Sequence, residues 1–386
     1  MSAALLALGV LLLALAVHPF VTYPLSLRVL ARLRPRLVAS GRPEGRVAFC
    51  VSCFNEERVI RAKIDNILAM RADCPELEVL VYVDGATDRT AEYLREYGEA
   101  IRLVVSSERM GKTHGMNRLV GMTGADFCVF SDANVIFAPD ALPRLLAGFA
   151  DPEVSCVCGH LVYTQPEGSA TAAAGSLYWR LEEHIKALET ASGSVMGADG
   201  SIFALRRAMH QAPPSDLIDD MYVSLAALCA GGRIIRVPDA IAYEEAVSRP
   251  GEEFRRKVRI ACQAFNVHRR LAPLLRQLPV MDQYKYVSHK LLRWLTIYLL
   301  GAGAVLVLAG LALSGAWPWA LALAVLGAGF IALVAAARGG PLGKIREILS
   351  AFAATGLGVW RSLRGDRFQT WNPPASARGV ALSGGD

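Results

Sequence analysis

The chain has 386 residues, of which 53% are hydrophobic and 20% charged, and it carries a net charge of +6. That is too apolar for an ordinary soluble protein and points to a membrane protein with a large soluble part. The basic excess lies beside apolar runs, and no zinc-finger or other nucleic-acid motif is present, so the charge speaks for membrane orientation and no nucleic-acid partner is expected.

Ala3 to Val21 is uncharged and broken only by His18 and Pro19. At about 20 residues such a run can cross a bilayer. A cleaved signal peptide is the rival reading, but the run lacks a basic start and is long for that purpose. Arg28, Arg32, Arg34 and Arg36 follow, which predicts a cytoplasmic face here and an amino terminus outside.

From about residue 46 to 131 two periods alternate. Val47 to Cys53 reads as a strand, and Asn55-Glu-Glu57 opens a helix with Val59, Ile60, Ile64, Ile67 and Leu68 on one face. Val79 to Val83 is a second strand, after which Asp84-Gly-Ala-Thr-Asp88 turns into a helix closed by Gly98. Ile101 to Val105 is a third strand, and Gly111-Lys112 starts a helix to about Met122. Phe127 to Phe130 is the fourth strand, delivering Asp132 and Asn134 at its end, with Pro139 blocking its continuation. Strands alternating with helices predict an α/β fold with a parallel sheet. Such sheets bind ligands beyond the carboxyl ends of their strands, where Asn55, Asp84 and Asp132 all fall. Asp132 and Asn134 project on one side of an extended backbone, which suits Mg²⁺ or Mn²⁺ holding a diphosphate. A strand-closing turn accounts for the same two residues. The eight cysteines all lie between the membrane runs. Cys50-x-x-Cys53 has metal or redox spacing without a second pair like it, so core thiols in a reducing compartment are expected.

The pattern loosens from Val154 to about Tyr243, with loops at Tyr163-Thr-Gln-Pro166 and Pro213-Pro214 and a helix over Tyr178 to Leu188. Gly193 to Gly200 is polar and flexible, Ile218-Asp219-Asp220 precedes a helix from Met221 to Ala230, and Arg233 to Val237 is a short strand. Phe254 to Leu275 is basic and amphipathic, as expected of a helix at the cytoplasmic membrane surface; an ordinary surface helix has the same pattern. Leu291 to Leu313 and Trp317 to Ala337 are bilayer-length runs around a Ser314-Gly315-Ala316 turn. Lys285, Lys290 and Arg293 flank one end and Arg338, Lys344 and Arg346 the other, so both ends read as cytoplasmic. Ile348 to Trp360 is apolar but short, fitting a helix in or against the inner face. The tail from Phe368, with Trp371, Pro373 and Pro374, is expected to fold back or stay disordered. The division is a membrane helix over 1–27, a cytoplasmic catalytic domain over 44–246, interfacial helices over 247–290, two membrane helices over 291–338, and a membrane-associated helix and tail over 339–386.

Together these motifs resemble the membrane-bound inverting glycosyltransferases of family 2, the group of hyaluronan, chitin and cellulose synthases and bacterial exopolysaccharide enzymes, over roughly Ala48 to Trp294. The resemblance implies a GT-A domain, a Rossmann-like and mostly parallel sheet flanked by helices, with transmembrane helices at both ends. It implies that Val51-Ser-Cys-Phe-Asn-Glu-Glu57, with Asn55 and Glu57, lines the nucleotide pocket. Asp84 would accept from the uracil N–H, although Val83 replaces the family's preceding aspartate. Lys112, with Asn117 nearby, would help hold the nucleotide. Taken singly, Asp84 also reads as an Asx-turn and Lys112 as a solvated helix start. The family's Asp-x-Asp metal motif reads Asp132-Ala-Asn134, one carboxylate becoming an amide.

Ile218-Asp219-Asp220 stands where family members carry Thr-Glu-Asp, which makes Asp220 the general base; a helix N-cap with an acidic first turn is the plainer account. Gly197-Ala-Asp199-Gly200 with Arg206-Arg207 is similar to an acceptor-side loop, so Asp199, Gly200 and Asp219 would face the acceptor, a flexible turn being the alternative. Arg256 and Arg259 resemble the arginines of a Gln/Arg-x-x-Arg-Trp element that reaches the diphosphate, with Ile260 in place of the tryptophan that stacks on the acceptor sugar in polymer synthases. Ser288 to Trp294 resembles the start of a membrane helix in exopolysaccharide members, with His289 interfacial.

The implied activity is inverting transfer at the inner membrane from a nucleotide-sugar donor, a UDP-sugar, to a growing polysaccharide or glycan, or of one sugar to a lipid carrier. A scaffold that has lost activity is the reading from another class; Val83, Asn134 and Ile260 favour it, and Asp84, Lys112, Asp132, Asp220 and Arg259 oppose it. Three spans make a narrow channel, so threading a polymer would call for a homo-oligomer. No G-x-G-x-x-G follows the first strand, which speaks against a dinucleotide-dependent dehydrogenase.

Overall fold

The computed structural model describes residues 1–39, 41, 43–164, 170–245, 250–337 and 339–370. Gln165, Pro166, Arg338 and the tail with Trp371, Pro373 and Pro374 lie outside the described residues. In chain order the elements are α1 (Ser2–Val17), α2 (Thr22–Leu33), β1 (Val47–Cys53), α3 (Ile60–Ala69), β2 (Glu78–Asp84), α4 (Thr90–Arg95), β3 (Arg102–Ser106), α5 (Lys112–Met122), β4 (Phe127–Phe130), β5 (Val135–Phe137) and α6 (Ala141–Ala147). They continue with β6 (Val154–Thr164), α7 (Ala170–Ala191), β7 (Phe203–Arg206), α8 (Asp219–Cys229), β8 (Arg233–Glu245), α9 (Pro250–Leu275), α10 (Val280–Tyr286), α11 (Leu292–Leu313), α12 (Trp317–Ala336) and α13 (Gly340–Leu363).

Among the described residues the eight strands join one sheet in the order β3-β2-β1-β4-β7-β6-β8-β5. Strands β1 to β4 are parallel because a helix carries the chain back between each pair. Every residue of β1 is buried, and its side chains alternate between two layers. Ala48 and Cys50 pack with residues of α5, α8 and α9; Val47, Phe49, Val51 and Cys53 pack with those of α3 and α6. Cys50 and Cys53 therefore face opposite sides of the sheet, as core thiols rather than a chelating pair.

The other half of the sheet is mixed rather than parallel. Strand β7 runs antiparallel to β4, with Phe203 opposite Phe130. The chain just before β7 is thereby laid beside the chain just after β4, and Ser131 Oγ donates to Ser201 O at 2.8 Å. Strand β8 extends beyond the expected Val237 to Glu245, because Pro238 sits where its pairing with β6 slips register and the ladder resumes at Ile241. That extension pairs with β5, a strand absent from the sequence reading, and puts Val135 opposite Glu244.

Among the described residues two helical stretches are long and apolar enough to cross a membrane, Val280–Leu313 and Trp317–Ala336. The single membrane helix expected over 1–27 is instead a bent pair, α1 and α2 meeting at 63°. Pro19 supplies no N–H to continue the ladder, and the His18 ring meets Thr22 Oγ1 at 2.6 Å across the break. Helix α1 packs antiparallel along α11, Leu13 against Gly303 and Leu6 against Gly310. Helix α13 lies on α9, where Gly358 has no room for a Cβ above Val258 and Ala261.

Candidate active site

The antiparallel return of β7 brings four chain segments to one point. Asp132 follows β4, Lys112 opens α5, Asp219 and Asp220 open α8, and Gly200 precedes β7. Lys112 Nζ lies 2.7 Å from Asp132 Oδ1 and 3.6 Å from Asp219 Oδ2. A Cβ at Gly200 would stand 2.8 Å from Asp220 Oδ2 and 3.3 Å from Lys112 Nζ. The glycine is thus the gap through which the Asp220 carboxylate and the lysine share one cleft. Burial alone would lower the Lys112 pKa, but Asp132, Asp219 and Asp220 together raise it above the ordinary lysine value. Burial and the Asp219 charge push the Asp220 carboxyl up to about 7, against Lys112 and the Met221 amide. A carboxyl of that pKa is poised to exchange a proton near neutrality. Asp219 is itself buried, and its Oδ2 has no hydrogen-bond partner among the described residues.

The turn carrying Asp132 is braced from behind by Lys63. Its ammonium is fully buried and donates to Ser131 Oγ at 2.8 Å and Val135 O at 2.6 Å. Burial pushes Lys63 down to about 7, with Asp132 opposing. The sequence did carry a signal for it, a lysine inside the apolar face of α3 alongside Ile60, Ile64 and Ile67. Asn134 Nδ2 donates to Glu244 Oε1 at 3.1 Å, which leaves Asn134 Oδ1 as an available oxygen. Glu244 lies on the extension of β8 past Pro238, where the sequence predicts a strand only as far as Val237.

Among the described residues no three His, Cys, Asp or Glu side chains form a ready metal cage. The donors present, the Asp132 carboxylate and the Asn134 amide oxygen, are hard and few. They fit a small cation that takes most of its ligands from water and a diphosphate.

Other residues expected at the site make contacts within the protein. Asp84 is fully buried, and its Oδ1 accepts from Met110 N at 2.7 Å and Gly111 N at 3.0 Å. It fixes the turn that presents Lys112. Asn55, at φ +52°, accepts from Thr87 N at 2.8 Å. Glu57 Oε2 accepts from Arg89 N at 3.1 Å. These two bonds lock the loops after β1 and β2 together. Arg256 is held in a fork by Glu253, at 2.8 and 3.3 Å, one turn away. Arg259 donates to Gln263 at 3.1 Å, and burial and Arg256 lower its pKa while Asp132 and Asp220 oppose. Asp199 pairs with the buried Lys186 while its own side chain stays 33% exposed.

The chain after α13 crosses to the same place. Gln263 Nε2 donates to Phe368 O at 2.7 Å, and Gln369 Nε2 donates to Met110 O at 2.9 Å. Gln369 O lies where a Cβ on Gly111 would come within 2.3 Å, and Gly111 has φ +94°, so only glycine fits there.

The profile of the family described as "Glycosyltransferase like family 2" matches residues 43–263, more than half of the chain. An N-acetylglucosaminyltransferase of Sinorhizobium fredii is 26% identical over 75% of this chain and 73% of its own length. One of Rhizobium leguminosarum is 24% identical over 63% of this chain, and the match spans only 60% of that relative. A poly-β-1,6-N-acetyl-D-glucosamine synthase of Staphylococcus aureus is 28% identical over 30% of this chain and 28% of its own. Among solved structures, the mannosyltransferase PcManGT of Pyrobaculum calidifontis, in complex with GDP-Man and Mn²⁺, superposes with a TM-score of 0.72 at 24% identity, covering 93% of this chain and 99% of that one.

Proposed function

From the premise that the chain belongs to the glycosyltransferase-like family 2 and has the GT-A fold, we propose that it moves a sugar, with inversion, from a UDP-sugar to a growing glycan at the cytoplasmic face of the inner membrane. The observation that carries this is the meeting of Asp220, Lys112 and Asp132 around Gly200. Asp220 takes the proton of the acceptor hydroxyl as its oxygen bonds to the anomeric carbon from the face opposite the diphosphate. The bond to the diphosphate breaks with its electron pair, and Lys112 and Arg259 stand where that charge develops. Asp132 and Asn134 would hold Mg²⁺ or Mn²⁺, which when bound supplies electrostatic stabilisation of the leaving diphosphate. Asp84 acts through the Met110–Gly111 turn, and Asn55 and Glu57 through the loops they tie.

The names of the Rhizobium and Sinorhizobium relatives make UDP-N-acetylglucosamine the first donor to test. With the full chain in membrane vesicles, Asp220→Asn is expected to abolish transfer while UDP binding stays nearly intact. Normal turnover in that variant refutes the assignment of the base. Sizing the radiolabelled product separates a long polymer from a single-sugar glycolipid.

A further inference from the structure

A second group of charges is buried away from the cleft, where the catalytic domain meets the first long apolar helix. His289 sits fully buried in a π-helical turn, Val287–Leu291, between α10 and α11. Its Nδ1 lies 2.8 Å from Glu189 Oε1 and its Nε2 3.0 Å from Glu182 Oε1, both on α7. Each ring nitrogen thus meets a carboxylate oxygen, one from each of two glutamates on α7. Burial would raise the Glu182 pKa, but the charges of His289, Arg293 and Lys290 hold it well below the usual carboxylate range. Arg293 also bonds Glu182, and Lys290 lies 3.7 Å from it. Lys285, His289 and Arg293, which the sequence suggested as interfacial charges, are thus drawn inward against α7.

The same face of α7 holds the loop over Asp220. Glu189 Oε2 accepts from Met196 N at 3.2 Å, and Tyr23 OH donates to Glu189 Oε1 at 2.5 Å. Lys285 Nζ donates to Ser194 O at 3.4 Å, and Lys186, one turn from Glu182, pairs with Asp199. Gly200, next in sequence, is the residue against Asp220 and Lys112. An unbroken series of contacts thus runs from α11 through His289, Glu189 and the 194–200 loop to the proposed base.

We infer that His289, clasped by Glu182 and Glu189, is a positioning residue that registers the acceptor-side loop 194–200 to the first membrane-length helix. The inference rests on Asp220 being the base. His289 does not touch substrate; it sets where the loop lies over the carboxylate. A loop displaced by on the order of 1 Å costs about 10²-fold in rate when it orients a reactant. Donor-side groups, held by β1 to β4 and α5, do not depend on the clasp.

The test compares wild type, His289→Gln and Asp220→Asn as full chains in vesicles, with the donor that wild type turns over. Expected in His289→Gln is a loss of about tenfold or more in sugar transfer, with donor KM and the slow hydrolysis of donor by water unchanged. Amide exchange should quicken across 194–200 but not in β1. Unchanged transfer, or transfer, hydrolysis and exchange in β1 all failing together, overturns the inference. Should His289→Gln not fold, Glu182→Gln removes one arm of the clasp and is read by the same measurements. Retained transfer in Asp220→Asn condemns the assignment of the base instead, while loosened exchange confined to 194–200 still reports on the clasp.

Discussion

Replacing Gly200 with alanine tests the cleft with a single methyl group. The new Cβ would stand 2.8 Å from Asp220 Oδ2 and 3.3 Å from Lys112 Nζ. Reaching ordinary contact requires the carboxylate to retreat by about 0.6 Å, and since a misplacement near 1 Å costs about 10²-fold, kcat should fall roughly tenfold. That corresponds to about 1.4 kcal/mol in the barrier. Gly200 has no left-handed φ, so alanine brings no backbone strain, and the groups it presses are side-chain ends rather than backbone. Thermal unfolding should accordingly be near that of wild type. The assay is initial-rate release of nucleotide over a range of donor concentrations, with unfolding measured on the same sample. A kcat within twofold of wild type would show that Gly200 does not border the working carboxylate.

Wild-type kcat should rise with pH through about 7, because Asp220 acts only once it has lost its proton. Lys112 favours the ionised form of Asp220, so Lys112→Met should move that rise to higher pH as well as weaken donor binding; a pH profile that stays in place removes the lysine from the carboxylate's field. Chelation with EDTA should stop turnover and added Mn²⁺ or Mg²⁺ restore it, with Asp132→Ala needing more cation than wild type. An Asp132→Ala enzyme with the wild-type cation requirement would take Asp132 out of the metal site.

Much of the domain could be read from periodicity. The β1, β2 and β4 strands and the helix α3 appear because each is buried on both faces or on one stripe, and burial writes itself into sequence as apolar runs. The meeting of Asp220 with Asp132 was reachable only through a family resemblance, since it depends on β7 turning back against β4, a pairing that β7's four residues do not announce. Asp84 shows the opposite difficulty. Its motif marks a functional turn, yet its carboxylate is consumed by two backbone amides, and no one-dimensional pattern distinguishes a group that binds a ligand from one that builds the binder. Lys285, His289 and Arg293 misled for a related reason. A positive charge beside an apolar run is usually a lipid-facing flank, and the two glutamates that draw these groups inward lie about a hundred residues earlier.

The pairing of α1 with α11 constrains how the protein can be made. Leu13 and Gly303 touch although nearly the whole catalytic domain is synthesised between them. Joining them directly from a floppy chain of that length would sacrifice about 5 kcal/mol of loop entropy. The folded domain removes most of that penalty in advance, because Tyr23 and His289 both dock on Glu189 and so deliver the two helices to neighbouring spots. During translation the first helix must therefore wait without its mate until the ribosome has released most of the polypeptide, and a domain that misfolds in the interval strands it there.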